Sequence, residues 1–249
     1  MPDRGFETRL VDVRRFYGLI DVLEERNGGK RTLLTANGRM AWPTRGVYFF
    51  FEPGEGRSTS GSGPRVVRVG THALKPGSGT TLWHRLLTHK GTMNGLYANG
   101  GNHRSSIFRG HVGFALIDRD GWQVEVCGTW SEGSDAPEAI RRSEHLLEKA
   151  VSTHLRKMPF LVVGVGDPPG PGSARALIEA NSIALLSNYG KLANGIDPPS
   201  EQWLGRHSHR PEVRESGLWN VRHVDATYDP GFLDILQSYI ASTRRLGFR

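Results

Sequence analysis

Residues 46–51 read Gly46-Val47-Tyr48-Phe49-Phe50-Phe51, and residues 66–70 read Val66-Val67-Arg68-Val69-Gly70. The first run is aromatic and β-branched, the composition of a strand. The second, at 66–69, repeats that signal. Between them lies 53–64, PGEGRSTSGSGP, whose glycines, prolines and serines favour a flexible polar loop. The two runs are therefore expected to form a hairpin with a long connection. Next comes Leu82-Trp83-His84-Arg85-Leu86-Leu87-Thr88-His89, a helix stopped by Lys90-Gly91. In a helix, residues four apart share a face, so Arg85 and His89 point the same way.

Working outward, residues 9–26 carry Leu10, Val13, Tyr17, Ile20 and Leu23 in steps of three and four, an amphipathic helix ended by Asn27-Gly28-Gly29. Downstream, 94–104 is rich in turn residues, and 111–117 and 122–127 are expected as two further strands. A long helix is expected over 137–157, with proline in its first turn. Residues 160–165 form a buried strand, 167–172 (DPPGPG) a rigid break, and Ser173 caps a helix over 174–186. The tail holds Pro198-Pro199 and a last helix near 232–243. This order predicts an α+β fold, a small central sheet flanked by helices. The expected divisions are an N-terminal helical extension (1–45), a core domain (46–190) with an insertion at about 92–135, and a C-terminal extension (191–249). No internal repeat is present, and 53–64 is the only low-complexity stretch.

Bulk properties narrow the classes. The chain has 249 residues, 32 Lys+Arg against 25 Asp+Glu, and a formal charge of +7. That balance favours polyanionic partners, because phosphate contacts release counterions. The basic residues are dispersed, which suggests a folded basic surface and not a tail. No apolar run nears the roughly 20 residues that cross a bilayer, so no membrane partner is expected. Met1-Pro2-Asp3-Arg4 opens polar, without a signal-type stretch. Cys127 is the only cysteine. An internal disulfide and a thiolate-rich zinc site are excluded, and a cytoplasmic location is expected.

The chemistry concentrates in a few side chains. Glu179 stands in a largely apolar helix, Leu177-Ile178-Glu179-Ala180-Asn181, and a buried carboxylate needs a cation or a guanidinium. A metal ion and a salt bridge to Arg175 are the two readings. Alone, Tyr48 reads as core, and Arg85 and His89 as a solvated helix face. The hairpin and the helix after it thus carry Tyr48, Arg68, Arg85 and His89, and a helix far downstream carries Glu179.

At these residues the chain resembles the GIY-YIG nuclease superfamily. Gly46-Val47-Tyr48 is similar to the first signature, and Arg68-Val69-Gly70 occupies the place of the second. Arg85 and His89 resemble the family's helical Arg-x-x-x-His. The string around Glu179 is similar to that of nucleotide excision repair endonucleases. Asn188 is the candidate for the terminal asparagine, across a shorter gap. The resemblance spans about 46–190, and the order and spacing carry it more than any single motif. The full-length pattern also resembles a bacterial subgroup, whose own additions would be 101–109 (GNHRSSIFR) and 217–225 (GLWNVRHVD). The superfamily resemblance implies a catalytic set of Tyr48, Arg68, Arg85, His89, Glu179 and Asn188, with Glu179 holding Mg²⁺ or Mn²⁺. Magnesium keeps most of its water shell and suits a single carboxylate. The implied function is a metal-dependent endonuclease acting on nucleic acid, DNA first. The chief departure is Arg68 where the family has a second tyrosine; the alternative is a catalytically inactive nucleic-acid-binding module. A third reading makes the tail, with Trp203 and Trp219, a protein-docking surface.

Asn102, His103, Arg104 and Arg109 are candidate nucleic-acid contacts, against a turn held by its own side chains. Gly164-Val165-Gly166-Asp167-Pro168-Pro169-Gly170 follows a strand, but two prolines remove the donors a phosphate loop needs. His207-Ser208-His209 lacks a neighbouring cysteine or acid to complete a metal site.

Overall fold

The computed structural model describes residues 4–191 and 195–247; Met1, Pro2 and Asp3 of the polar opening lie outside them. Among the described residues four strands form one antiparallel sheet: β1 (Arg31–Thr32), β2 (Gly46–Gly56), β3 (Pro64–Gly70) and β4 (Pro159–Gly164), in the order β1-β4-β2-β3. β2 is central, which is why its run is apolar without interruption. Successive strand residues face opposite sides, and both sides are covered. Tyr48 and Phe50 join Val67, Phe160 and Val162 on one face. Val47, Phe49 and Phe51 join Val66, Val69, Leu161 and Val163 on the other.

The first face is covered by α2 (Leu82–Lys90), α3 (Ile107–Asp120) and α6 (His145–Lys157), through Leu82, Leu86, Phe108, Val112, Leu147 and Val151. The second is covered by α1 (Arg4–Asn27), α7 (Ala174–Leu186) and the helix Phe232–Ser242, through Phe16, Ile20, Ile178, Leu185, Leu233 and Leu236. The segments at both ends of the chain are thus built into the same core as the sheet. The end of α1 is pinned to β4 by Asn27, whose amide donates to Val162 O at 3.1 Å and accepts from Val162 N–H at 2.9 Å. No helix among the described residues is long and apolar enough to cross a membrane.

Three expectations are corrected. Residues 111–117 and 122–127 are not strands: they fall in α3 and in α4 (Val124–Thr129). Phe108, Val112, Ala115 and Leu116 are the buried stripe of α3, a period of three to four that the apolar run at 111–117 conceals. Ser106 caps α3 and Gly121 ends it in the left-handed conformation. Second, the helix expected over 137–157 is two pieces, α5 (Glu138–Ser143) and α6. They meet at Glu144, whose buried carboxylate receives Arg104 at 2.7 and 2.9 Å. Third, the 53–64 connection is not free. β2 continues to Gly56, and Asp197 Oδ1 accepts the N–H groups of Ser58, Thr59 and Ser60 at 2.8–2.9 Å.

Strand β3 is an edge of the sheet, and the tail lies along it. Trp219 N–H donates to Val67 O at 2.7 Å. Asn220 accepts from Val69 N–H at 3.1 Å and donates to Val69 O at 2.9 Å. Trp203 and Trp219 are buried, 2% and 0% exposed, and both indole N–H groups donate to Glu52 Oε2. They are interior groups, so they do not make the docking surface that the third reading required.

Candidate active site

The hairpin register places Tyr48 directly opposite Gly70, and Phe50 opposite Arg68. Tyr48 and Arg68 therefore emerge on the same face of neighbouring strands. The glycines are steric requirements. A Cβ on Gly70 would sit 2.4 Å from Tyr48 Oη, and one on Gly46 would sit 2.3 Å from Val163 O of β4. The tyrosine ring lies across one glycine, and the strand it stands on is drawn against its neighbour by the other.

Helix α2 starts at the cap Thr81, whose side chain accepts from His84 N–H, and it crosses the same face. Tyr48 Oη lies 2.9 Å from His89 Nε2, and His89 Nδ1 lies 2.8 Å from Ser106 Oγ. Both rings are fully buried. Burial, reinforced by Arg85, Arg68 and Arg109, holds the His89 pKa well below the ordinary imidazole value, so the ring is neutral. Arg68 and Arg85 both converge on the Tyr48 oxygen, and both act electrostatically on Glu179. Arg68 is held by Trp219 O, to which its Nη1 donates, and it packs 4.7 Å from the centroid of the Phe108 ring. The buried Nε atoms of Arg68 and Arg85 have no hydrogen-bond partner among the described residues. His72 Nε2, also buried, is likewise unpartnered. The His72 pKa falls to about 4 through burial, with Arg175, Arg85 and Arg45 adding to the effect.

Glu179 reaches this point from α7, on the opposite layer, around the end of the sheet. Thr71, next to Gly70, donates its N–H to Glu179 Oε1 at 3.1 Å and its hydroxyl to Gly46 O at 2.8 Å. Burial raises the Glu179 pKa, opposed by Arg68, Thr71 N–H, Arg85 and Arg222. The rival partner is engaged elsewhere: Arg175 pairs with Asp167 and donates to Val165 O. Among the described residues no group of three or more His, Cys, Asp or Glu is arranged to hold a metal. Among the described residues Glu179 has no contact ion pair, and its only hydrogen bond is that from Thr71. That donor set fits an ion bound through one carboxylate, with the rest of its shell from water and phosphate.

Tyr48, Arg68, Arg85, His89 and Glu179 are thus brought together. Asn188 is not. Its Oδ1 accepts from Arg9 at 3.1 Å and from Ile196 N–H at 2.9 Å, and its Nδ2 donates to Ile196 O. Its oxygen is taken by Arg9 and Ile196 and its nitrogen turns onto Ile196, so the amide is committed inside the protein.

Of the four candidate nucleic-acid contacts, three are engaged within the protein. Asn102 caps the 3-10 turn His103–Ser105 by accepting from Arg104 N–H. His103 is buried on Glu148 at 2.9 Å, and Arg109 is buried against Glu148, His89 O and Ser152. Arg104 is committed to Glu144. Desolvating Arg104 and Arg109 is offset by their internal acids, and His103 accepts from Ser131 N–H at 2.9 Å, so all three face inward. Sequence reasoning had no signal for Ser106, Thr71 or the Trp219 carbonyl. His72 and Arg222 were open to the same charge-based reading as Arg85, since each is a basic residue beside a motif.

A small antiparallel sheet that brings a signature-strand tyrosine, a helical Arg-x-x-x-His and a lone helix carboxylate to one point defines a nuclease-type domain. A family model described as GIY-YIG domain matches residues 7–246, nearly the whole chain, and the protein belongs to that family. No curated protein and no solved structure matches it.

Proposed function

We propose that the protein is a divalent-metal-dependent endonuclease that hydrolyses DNA phosphodiester bonds at the Tyr48–Glu179 site. The observation that carries this reading is the convergence of Tyr48, Arg68, Arg85, His89 and Glu179 at one end of the sheet, with donors on the two arginines left unpartnered. Two guanidinium groups present unpartnered Nε donors, and one half-buried carboxylate lacks a counter-ion. An unmade buried hydrogen bond costs about 1–3 kcal/mol, and a phosphate oxygen would supply the missing acceptors.

Glu179 would hold Mg²⁺ or Mn²⁺. When bound, the ion would polarise the phosphate and help the leaving oxygen. Arg85 and Arg68 would neutralise non-bridging oxygens. Tyr48 would take a proton from the attacking water, after giving its own to His89. The adjacent guanidinium groups favour the phenolate. The enclosed ring requires the substrate to enter against Arg68 and Arg85 before water meets the phenol.

The test is cleavage of plasmid DNA by purified protein with and without Mg²⁺, beside Glu179→Ala. Metal-dependent nicking lost in the variant is the expected result; cutting that survives the substitution removes Glu179 from the mechanism. A second reading, a binding module without cleavage, is favoured by Arg68 at the tyrosine position and by the complete burial of Tyr48. It predicts salt-sensitive binding and no cutting with any divalent metal.

A further inference from the structure

Within residues 101–109, His103, Ser106 and Arg109 are buried. They lie behind His89. Ser106 places its hydroxyl 2.8 Å from His89 Nδ1 while also accepting from Arg109 N–H at 3.2 Å. Arg109 donates from Nη1 to the His89 backbone carbonyl at 2.9 Å. Glu148 Oε2 receives Arg109, and its Oε1 accepts from His103 N–H at 2.6 Å. The histidine is therefore gripped at the ring and at the backbone by one inserted segment.

The polarity of the chain follows from donor counting. Guanidinium groups only donate, so Arg68 and Arg85, the cations that act on Tyr48, offer its hydroxyl hydrogen no acceptor. That single hydrogen is left with one acceptor in reach, His89 Nε2 at 2.9 Å. Nε2 must then be bare. A neutral imidazole carries its one proton on the other nitrogen, and the partner of Nδ1–H is Ser106 Oγ. The groups that face the ring are Tyr48 from β2, Arg68 from β3, Arg85 from α2 and Arg109 from α3; the three cations keep the resting ring neutral, and a phenolate formed beside it offsets their repulsion of the imidazolium.

We propose that Ser106 is a positioning residue that fixes His89 in its Nδ1–H tautomer and so keeps Nε2 open to receive the Tyr48 proton. In the step, the Tyr48 O–H bond breaks, an Nε2–H bond forms, and the resulting phenolate and imidazolium stay adjacent, with no net change in charge. The inference rests on the nuclease reading only for its catalytic consequence; the tautomer itself is a property of the folded chain.

The experiment reads the two separately. Two-bond ¹H–¹⁵N spectra of the full chain between pH 6 and 8, with His89 assigned by comparison with His89→Gln, report which nitrogen is protonated. The expected wild-type result is Nδ1–H with bare Nε2. Ser106→Ala should move the population toward Nε2–H, and Ser106→Thr should keep the wild-type pattern. Ser106→Gly deletes the hydroxyl while nearly preserving the helix cap, so it replaces the alanine variant should that one unfold. In the cleavage assay, loss of the hydroxyl should lower kcat by roughly 10²-fold with KM unchanged, as for a misplaced catalytic group, and threonine should restore it. A wild-type spectrum with the proton on Nε2, or a hydroxyl-less variant with an unchanged tautomer, overturns the inference. So does a shifted tautomer with unaltered kcat. If the wild-type protein cuts no DNA, the nuclease reading falls and the spectra alone decide the tautomer.

Discussion

Replacing Gly70 by alanine tests the geometry of the site with a single methyl group. An added Cβ would lie 2.4 Å from both Cζ and Oη of Tyr48 and 2.5 Å from Cε2. Carbon atoms attract best at about 3.5–4.0 Å, so the ring or the strand must move by roughly 1 Å. The ring has little room, because it is fully buried and its oxygen sits 2.9 Å from His89 Nε2. Overpacking of this kind costs about 1–3 kcal/mol. At about 2–4 °C per kcal/mol for a chain of this size, the melting midpoint should fall by roughly 2–12 °C. A displacement of that size should also lower kcat by ~10²-fold. Differential scanning calorimetry and the plasmid assay read the two effects. Gly166→Ala is the control, because nothing lies within 4 Å of a Cβ there, and its midpoint should hold within about 0.5 kcal/mol. A Gly70→Ala protein with the midpoint and cleavage rate of the control would show that the ring is not pinned against the second signature glycine.

Further outcomes follow from the same contacts. Glu148→Ala leaves Arg109 buried without its acid and should destabilise the fold by about 3–5 kcal/mol, read by urea denaturation; a loss under 1 kcal/mol would mean that Arg109 is solvated. His72, His89 and His111 all have pKa values lowered by burial, to about 4 for His72 and about 3 for His111. The unfolded chain then binds more protons below about pH 6.5, so their stabilisation is complete above that pH and declines as pH falls toward the folded values. The midpoint should start to drop below about pH 6.5, before carboxylates titrate, and a flat profile down to pH 5 would contradict the neutral rings. Glu52→Ala strands two buried indole N–H groups, at about 1–3 kcal/mol each. The tail should loosen and tryptophan emission shift to the red, whereas unchanged emission would show that Glu52 is not the anchor.

What was legible in the sequence is what local periodicity and residue chemistry encode. The β2–β3 hairpin, the capped helix after Ser173, and the strand near 160–165 were read from composition alone. The grouping of Tyr48, Arg68, Arg85, His89 and Glu179 came from motif order, and packing brings these residues to one end of the sheet. What failed depended on partners distant in the chain. Asn188 carries the right side chain, but its amide is used by Arg9, 179 residues earlier. His103, Arg104 and Arg109 read as surface cations because their acids, Glu144 and Glu148, are about 40 residues downstream. The helix α3 was mistaken for a strand because HVGFALI is apolar along most of its length. Its true stripe includes Phe108, outside the window, and Gly113 is present because the Trp130 ring lies 2.1 Å from where a Cβ would be.

The strip formed by Trp219 and Asn220 has a consequence for anyone who would shorten this protein. It occupies the main-chain groups of Val67 and Val69 that an incoming strand would otherwise seize, and it lends Arg68 the Trp219 carbonyl. A fragment cut at about residue 190 would keep every signature motif. It would also expose a sticky ribbon margin, strip the helix Phe232–Ser242 from the second face of the sheet and release Arg68, so self-association and a slack candidate site should appear together.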